Sequence, residues 1–164
     1  MSSKIRDRQH AVNSGAQRSP AGEAFNDVLG QIVRLNRRFT AAAEALTRPA
    51  GQTLARWLVL AECKQSPATV SDIARRLYLA RQSVQRVADV LERDGLCAYQ
   101  DNPRHRRAKL LELTPAGRSA LARIEAAQRE WSDALGARIG ERVLRQAHGA
   151  LAPVVAAVER AGAP

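Results

Sequence analysis

The chain of 164 residues carries 26 lysines and arginines against 16 aspartates and glutamates, which gives a net charge of +10. It is long enough for one compact domain with helical extensions and too short for two independent enzyme domains. The positive charge favours partners that carry phosphate or lie on anionic membranes. No stretch is long and apolar enough for a membrane span or a signal peptide, so we expect a cytoplasmic protein that contacts no membrane.

Cysteines and histidines give no sign of a metal site or a disulfide framework. Cys63 and Cys97 are far apart in sequence and lack CxxC spacing, which is typical of a reducing compartment, and the three histidines are scattered. No nucleophile–base pair or glycine-rich phosphate loop suggests an enzyme. The sequence therefore predicts a protein without catalysis, metal or cofactor. Both cysteines are interpreted as structural thiols, and oxidant sensing by Cys63 or Cys97 is the alternative that the sequence leaves open.

The N-terminal part is predicted to be a disordered arm followed by one long helix. Residues 1–20 are polar, basic and free of periodicity, which is typical of a disordered segment. From Ala21 onward apolar residues recur at steps of three and four, which predicts an amphipathic helix that ends before Pro49, with a linker to residue 52. The apolar positions of this helix are Phe25, Val28, Leu29, Ile32, Leu35, Phe39 and Leu46.

Three shorter helices are predicted next. One begins near Thr53, carries Trp57 and ends near a turn at residues 66–69. Ser71 is a suitable N-cap for a short helix over residues 72–77. A third helix is predicted over residues 81–93, and Asp94 and Gly95 end it. The polar side chains on one face of that third helix are Gln82, Ser83, Gln85, Arg86 and Asp89.

After Gly95 the sequence period changes to about two, which predicts a β-hairpin. Its strands are residues 96–101 and 108–113, and between them lies the basic tip in the stretch DNPRHRRAKL. Thr114 and Pro115 are an N-cap and first-turn pair that begin a long helix. A last helix follows, with a kink expected at Pro153. The predicted fold is thus mainly α with a small β-hairpin, with residues 53–114 as the central domain and residues 115–164 as C-terminal helices.

This order of elements is typical of a winged helix-turn-helix, in which the second helix of the motif lies in the DNA major groove and the hairpin, or wing, reaches the neighbouring backbone or minor groove. We call residues 81–93 the recognition helix. Its glutamines can bond adenine bidentately, Arg86 can bond guanine, and serine suits a base or a phosphate. The candidate DNA-binding residues are Arg75, Arg81, Gln82, Ser83, Gln85 and Arg86, with Arg104, Arg106 and Arg107 in the wing.

Residues 70–118 resemble the multiple antibiotic resistance regulator (MarR) family, most specifically in ARQSV, LERDGL and LELTPAGR. The layout of the flanking helices is similar over about residues 21–160. The resemblance implies a homodimer whose first and last helices form the interface. It also implies a pseudo-palindromic operator, commonly a repressor role, and often release of DNA by a small aromatic or phenolic effector or an oxidant. By the same resemblance, Arg107 matches the wing arginine that enters the minor groove, and Arg104 and Arg106 match flanking positions.

Three positions depart from the family pattern. The turn before the recognition helix usually has a glycine and, two residues later, a serine, but this sequence has Tyr78 and Ala80. An N-cap serine stabilises a helix by about 1 kcal/mol over alanine. We therefore expect the first turn of this helix to be less stable than in the family. His105 stands where the family has an aspartate, which leaves the wing more positive and Arg107 less fixed.

Two questions stay open at the level of sequence. The first helix and its neighbour offer Phe25, Arg38 and Trp57 for an effector, although the two aromatic residues also fit core or interface positions. The leading function is a sequence-specific transcriptional regulator that binds double-stranded DNA. The alternative is a sequence-independent architectural protein, in which the arm and the wing act only as cations.

Overall fold

A computed structural model describes residues 18–103 and 107–162. It confirms the predicted fold class, since most described residues are helical and a small antiparallel sheet accompanies the helices. The described chain forms two compact units, one of which ends at Ala41 while the other begins at Ala42. The helices are α1 (Pro20–Thr47), α2 (Leu54–Gln65), α3 (Val70–Arg76), α4 (Arg81–Arg93), α5 (Pro115–Ile139) and α6 (Glu141–Ala161), and the strands are β1 (Ala68–Thr69), β2 (Cys97–Gln100) and β3 (Leu110–Leu113).

Thr69 rather than Ser71 caps α3, so the predicted cap was wrong. The hydroxyl of Thr69 accepts a hydrogen bond from the backbone N–H of Asp72 at 3.1 Å and donates to the Asp72 carboxylate at 2.7 Å. The spacing of a threonine and an acid three residues later is that of a capping box. Ser71 lies inside the helix because α3 begins at Val70, one residue before the predicted cap.

A third strand was missed in the sequence, where residues 66–69 are predicted as a turn. Ala68 and Thr69 pair with Leu111 and Leu110, and the strand order is β1-β3-β2. A two-residue strand has no period of its own, so only its partner reveals it. As a result β3 is the central strand, and it connects the base of the wing to the start of α3.

The β2–β3 hairpin is the predicted wing, with strands somewhat shorter than expected. Tyr99 pairs with Leu111 and Gln100 with Leu110. Near the tip, the side-chain amide of Asn102 donates to the Ala108 carbonyl at 2.9 Å. The predicted tip residues Arg104, His105 and Arg106 lie outside the described residues.

One hydrophobic core lies between the helices and the sheet. It contains side chains that are almost fully buried, and it spans the helix-turn-helix and the wing. Burying each such leucine or isoleucine contributes about 1.5 to 3 kcal/mol, so this core fixes the recognition helix against the rest of its unit. The largest buried side chains of α2, α3, α4, β3 and α5 are Leu60, Ile73, Leu91, Leu111 and Ile124.

The C-terminal helices begin as the sequence predicts. The Thr114 hydroxyl accepts from the Gly117 N–H, and Pro115 occupies the first turn of α5. Gly140, at φ 92°, separates α5 from α6, and α6 continues through Pro153 to Ala161. The buried residues of α5 all lie in its first half, whereas large apolar residues of α6 are exposed.

Candidate nucleic-acid interface

The recognition helix α4 has one buried and one polar face. Val84, Ala88 and Leu91 are buried in the core, which turns the polar residues outward. Ser83 and Gln85 are half-buried. The exposed polar side chains of this face are Arg81, Gln82, Arg86 and Asp89.

The turn before α4 has an unusual backbone. Tyr78 adopts φ 54°, in the left-handed region, and its side chain is 84% exposed. Ala80 offers no side-chain cap to the helix that follows. Both departures from the family pattern thus have a structural consequence: the turn keeps a conformation that suits glycine, and the N–H groups at the start of α4 lack a side-chain acceptor.

We expect Tyr78→Gly to raise the free energy of unfolding by about 0.5 to 1 kcal/mol. The left-handed conformation costs a residue with a Cβ about 1 to 2 kcal/mol, and the greater freedom of glycine in the unfolded chain offsets part of the gain. Urea denaturation measures the change. Tyr78→Ala is the control, since it removes the ring and keeps Cβ. An equal gain from both variants would show that the ring, not the backbone, is the cause.

A closed hydrogen-bond network connects α4 to the wing. The Gln85 side-chain nitrogen donates to Asp89 Oδ1 and to the Tyr99 hydroxyl oxygen, both at 2.7 Å. The Tyr99 hydroxyl in turn donates to Asp89 Oδ1 at 3.0 Å. Burial, and then the neighbouring Asp89 carboxylate, raise the pKa of Tyr99 to about 12, so this hydroxyl remains a donor at neutral pH.

A cleft between the recognition helix and the wing gathers positive charge. Its volume is ≈260 Å³, and three cationic side chains from two elements line it: Arg81 from α4, and Arg107 and Lys109 from the wing. The hydroxyl-bearing residues Thr69 and Ser71 line it as well. We call this the basic cleft. The three cations and the Ser71 hydroxyl are groups that bind a DNA phosphate, whereas the Thr69 hydroxyl already donates its proton to Asp72.

The basic cleft brings together three of the predicted DNA-binding residues, Arg81, Gln85 and Arg107. It adds Lys109 and Thr69, which were not predicted as site residues. Lys109 could have been found from its place in the basic tip sequence. Thr69 could not, because it reaches the cleft only through the β1–β3 pairing.

Arg75 and Arg86 lie outside the basic cleft. Arg75 pairs with Asp72 at 2.7 Å on an exposed surface. The Thr69 hydroxyl and, secondarily, Arg75 lower the pKa of Asp72. An exposed pair of this kind contributes little to stability, so Arg75 can exchange its carboxylate for a phosphate at small cost. The Arg86 guanidinium lies 3.5 Å from the Ser83 hydroxyl and is otherwise presented to solvent.

The candidate effector residues lie on α1 and α2. Phe25 and Arg38 are exposed on α1. Trp57 packs against the core cluster, which supports a structural role for its ring. Their effector role therefore stays a prediction.

The two cysteines are neighbours in space although they are distant in sequence. Both are buried, one in α2 and one in β2. A hydrogen bond with Cys97 and burial raise the pKa of Cys63, which keeps it a protonated thiol. A thiol of this kind reacts slowly with oxidants.

Within residues 18–103 and 107–162, no group of three histidine, cysteine, aspartate or glutamate residues is arranged to hold a metal ion. The same part of the chain contains no helix with the length and apolar character needed to cross a membrane.

The capped helices, the three-stranded sheet and the basic cleft define a winged helix-turn-helix protein. Residues 50–108 match the MarR family model. A crystal structure of a MarR family transcription regulator superposes with a TM-score of 0.73 at 26% identity, and the alignment covers 82% of this chain and 93% of that one.

Two relatives extend this likeness. A putative transcriptional regulatory protein for the hcr operon of Thauera aromatica is 32% identical over 125 residues, which are 75% of this chain and 73% of that protein. An uncharacterised protein of Mycobacterium tuberculosis is 42% identical over 83 residues, 51% of this chain and 58% of the relative, so the match spans little more than half of that relative's length. This chain belongs to the MarR family.

Proposed function

We propose that this protein is a homodimeric transcriptional regulator that binds a specific site on double-stranded DNA. The observation that carries the proposal is the basic cleft, where Arg81 of the recognition helix lies beside Arg107 and Lys109 of the wing. A phosphate bound there by Arg81 and Lys109 would place the exposed face of α4 in the major groove.

The exposed face then divides into two groups. Arg86 and Gln82 are free to reach base edges, and Ser83 suits a base or a phosphate. Arg75, Arg81 and Lys109 act on phosphates. Arg107 enters the minor groove, in line with the family resemblance, and the wing residues Arg104 and Arg106 are proposed to flank it.

Two exposed apolar helix faces support a homodimer. Large apolar side chains are exposed on α1 and on α6, and exposed apolar surface at helical spacing of this kind marks a binding surface. Two copies of the chain would cover these faces and place two recognition helices on one duplex. The residues are Phe25, Leu29, Ile32, Val33, Leu35 and Phe39 on α1, and Val143, Leu144, Leu151, Val155 and Val158 on α6.

The mode of regulation is part of the same proposal. A cytoplasmic repressor of a pseudo-palindromic operator, relieved by a small aromatic or phenolic effector, fits family membership. Phe25, Arg38 and Trp57 are the candidate effector contacts.

The test is binding to labelled DNA from upstream of the protein's own gene. We expect that DNA to bind about a thousandfold more tightly than random DNA, with affinity falling steeply as salt rises. Similar affinity for all DNA would favour the sequence-independent architectural protein instead.

Two variants separate base reading from phosphate binding. Arg86→Ala should weaken operator binding by about 1 to 3 kcal/mol and relax the preference at one base pair of each half-site. Lys109→Ala, its matched control in the wing, should weaken operator and random DNA alike and reduce the salt slope by about 1. If both variants weaken all sequences equally, the assignment of Arg86 as a base reader is wrong.

A further inference from the structure

The hydrogen-bond network around Gln85 limits what this side chain can offer to DNA. The carboxamide lies half-buried where α4 meets the wing, and its nitrogen is 2.7 Å from both Asp89 Oδ1 and the Tyr99 hydroxyl. Gln85 also lines the basic cleft with Tyr99. It is thus held at the surface that the proposed function places against DNA.

The chemistry of the partners fixes the orientation of the carboxamide. An ionised carboxylate only accepts hydrogen bonds, so the NH₂ end of Gln85, not its oxygen, must face Asp89. The Tyr99 hydroxyl gives its single proton to Asp89 at 3.0 Å and therefore accepts from the same NH₂ group. Both amide hydrogens of Gln85 are used, and its oxygen is the one polar atom left for another partner.

We propose that Gln85 reads DNA through its Oε1 alone, with Asp89 and Tyr99 as positioning residues. An acceptor recognises a base that presents an exocyclic amine in the major groove, which is adenine through N6 or cytosine through N4. Guanine and thymine present acceptors there and are disfavoured. Resting on the proposed function, this inference replaces the bidentate adenine contact expected from sequence, because that contact requires a free amide hydrogen.

The alternative is that the network only holds the wing in place against α4. In that case, removing the network would leave the base preference unchanged. The two roles differ in their effect on specificity. If the network only positions the wing, its loss weakens binding to every DNA site. If the network holds the Gln85 amide, its loss frees an N–H donor and changes the ranking of bases at one position.

The experiment uses the full-length protein and a site selected by the wild type from random-sequence duplexes. The position that loses its preference in Gln85→Ala is the one that Gln85 reads. At that position, fluorescence anisotropy compares duplexes with each of the four bases. We expect adenine and cytosine to bind within about threefold of each other, and guanine and thymine to bind about tenfold or more weakly.

The double variant Asp89→Ala/Tyr99→Phe frees both amide hydrogens while it keeps the aromatic ring in place. We expect adenine to gain about tenfold over cytosine, because the released NH₂ can then donate to adenine N7. Glu92→Ala, which removes another acid from the same helix, is the matched control and should keep the wild-type ranking.

Five outcomes would overturn the inference. The inference is wrong, while the proposed function stands, if Gln85→Ala loses no base preference or if the double variant keeps the wild-type ranking. The same holds if the wild type favours adenine over cytosine by tenfold, or if it prefers guanine or thymine. If the wild type selects no sequence at all, the proposed function is wrong, and the inference is overturned with it.

Discussion

Replacing Gly117 by alanine is expected to lower the free energy of unfolding by about 3 kcal/mol or more. A Cβ at this position would lie 1.9 Å from the backbone oxygen of Leu96 and 2.9 Å from its carbonyl carbon. These are backbone atoms at the start of the wing, so the clash cannot be relieved by a side-chain rotation. Gly117 also donates its N–H to the Thr114 cap, and the Thr114 hydroxyl lies 2.7 Å from the Gly95 carbonyl oxygen. A shift of α5 would therefore disturb the wing as well.

Gly149→Ala is the matched control for this variant. Gly149 lies in the interior of α6, and an added Cβ there would meet no heavy atom within 4 Å. Alanine is favoured over glycine inside a helix, so we expect a gain of up to about 1 kcal/mol. Thermal or urea denaturation at one fixed protein concentration measures both variants. If Gly117→Ala is as stable as the wild type, the close approach between α5 and the wing is not present in the folded protein.

The second large effect is expected from Val155→Asp on the exposed apolar face of α6. Val155 is 50% exposed in the single chain. A dimer interface that covered it would have to bury an unpaired carboxylate, which is costly. We expect the variant to be monomeric. Its operator affinity should fall on the order of 100-fold or more, because the second recognition helix is no longer tethered to the first.

Arg142→Asp controls for the added negative charge. It lies on a different side of α6 from Val155 at about 100° per residue, and an acid in the first turn of a helix is favourable. Analytical ultracentrifugation gives the oligomeric state of both variants, and anisotropy gives their operator affinity. A Val155→Asp protein that remains dimeric and binds DNA normally would place the interface elsewhere.

The helices were largely predictable because their signals are local. The buried face of α4 follows from the 3.6-residue period of its apolar residues. The start of α5 is indicated by the Thr114–Pro115 pair. The hairpin was predictable from the change of period after Gly95. The cap of α3 was misplaced because Thr69 and Ser71 are both chemically suitable, and only the backbone path selects between them.

Contacts between distant segments were not predictable. Tyr99 meets Gln85 and Asp89 because the β2–β3 register points its ring toward α4, and no local pattern encodes that register. Cys63 and Cys97 meet for a similar reason, since α2 and β2 pack into one core. The sequence therefore predicted helix α4 and its bounds, but it could not show which atoms of Gln85 are already engaged.

Hydroxyl-radical footprinting of the upstream DNA tests the central claim most directly, because it reports specificity, symmetry and spacing in one measurement. A homodimeric winged helix-turn-helix protein should protect two related half-sites centred about 10 bp apart on one face of the duplex, at a fixed position in the sequence. Protection that spreads evenly along the DNA as protein is added, without a fixed boundary or a repeated half-site, would contradict the account.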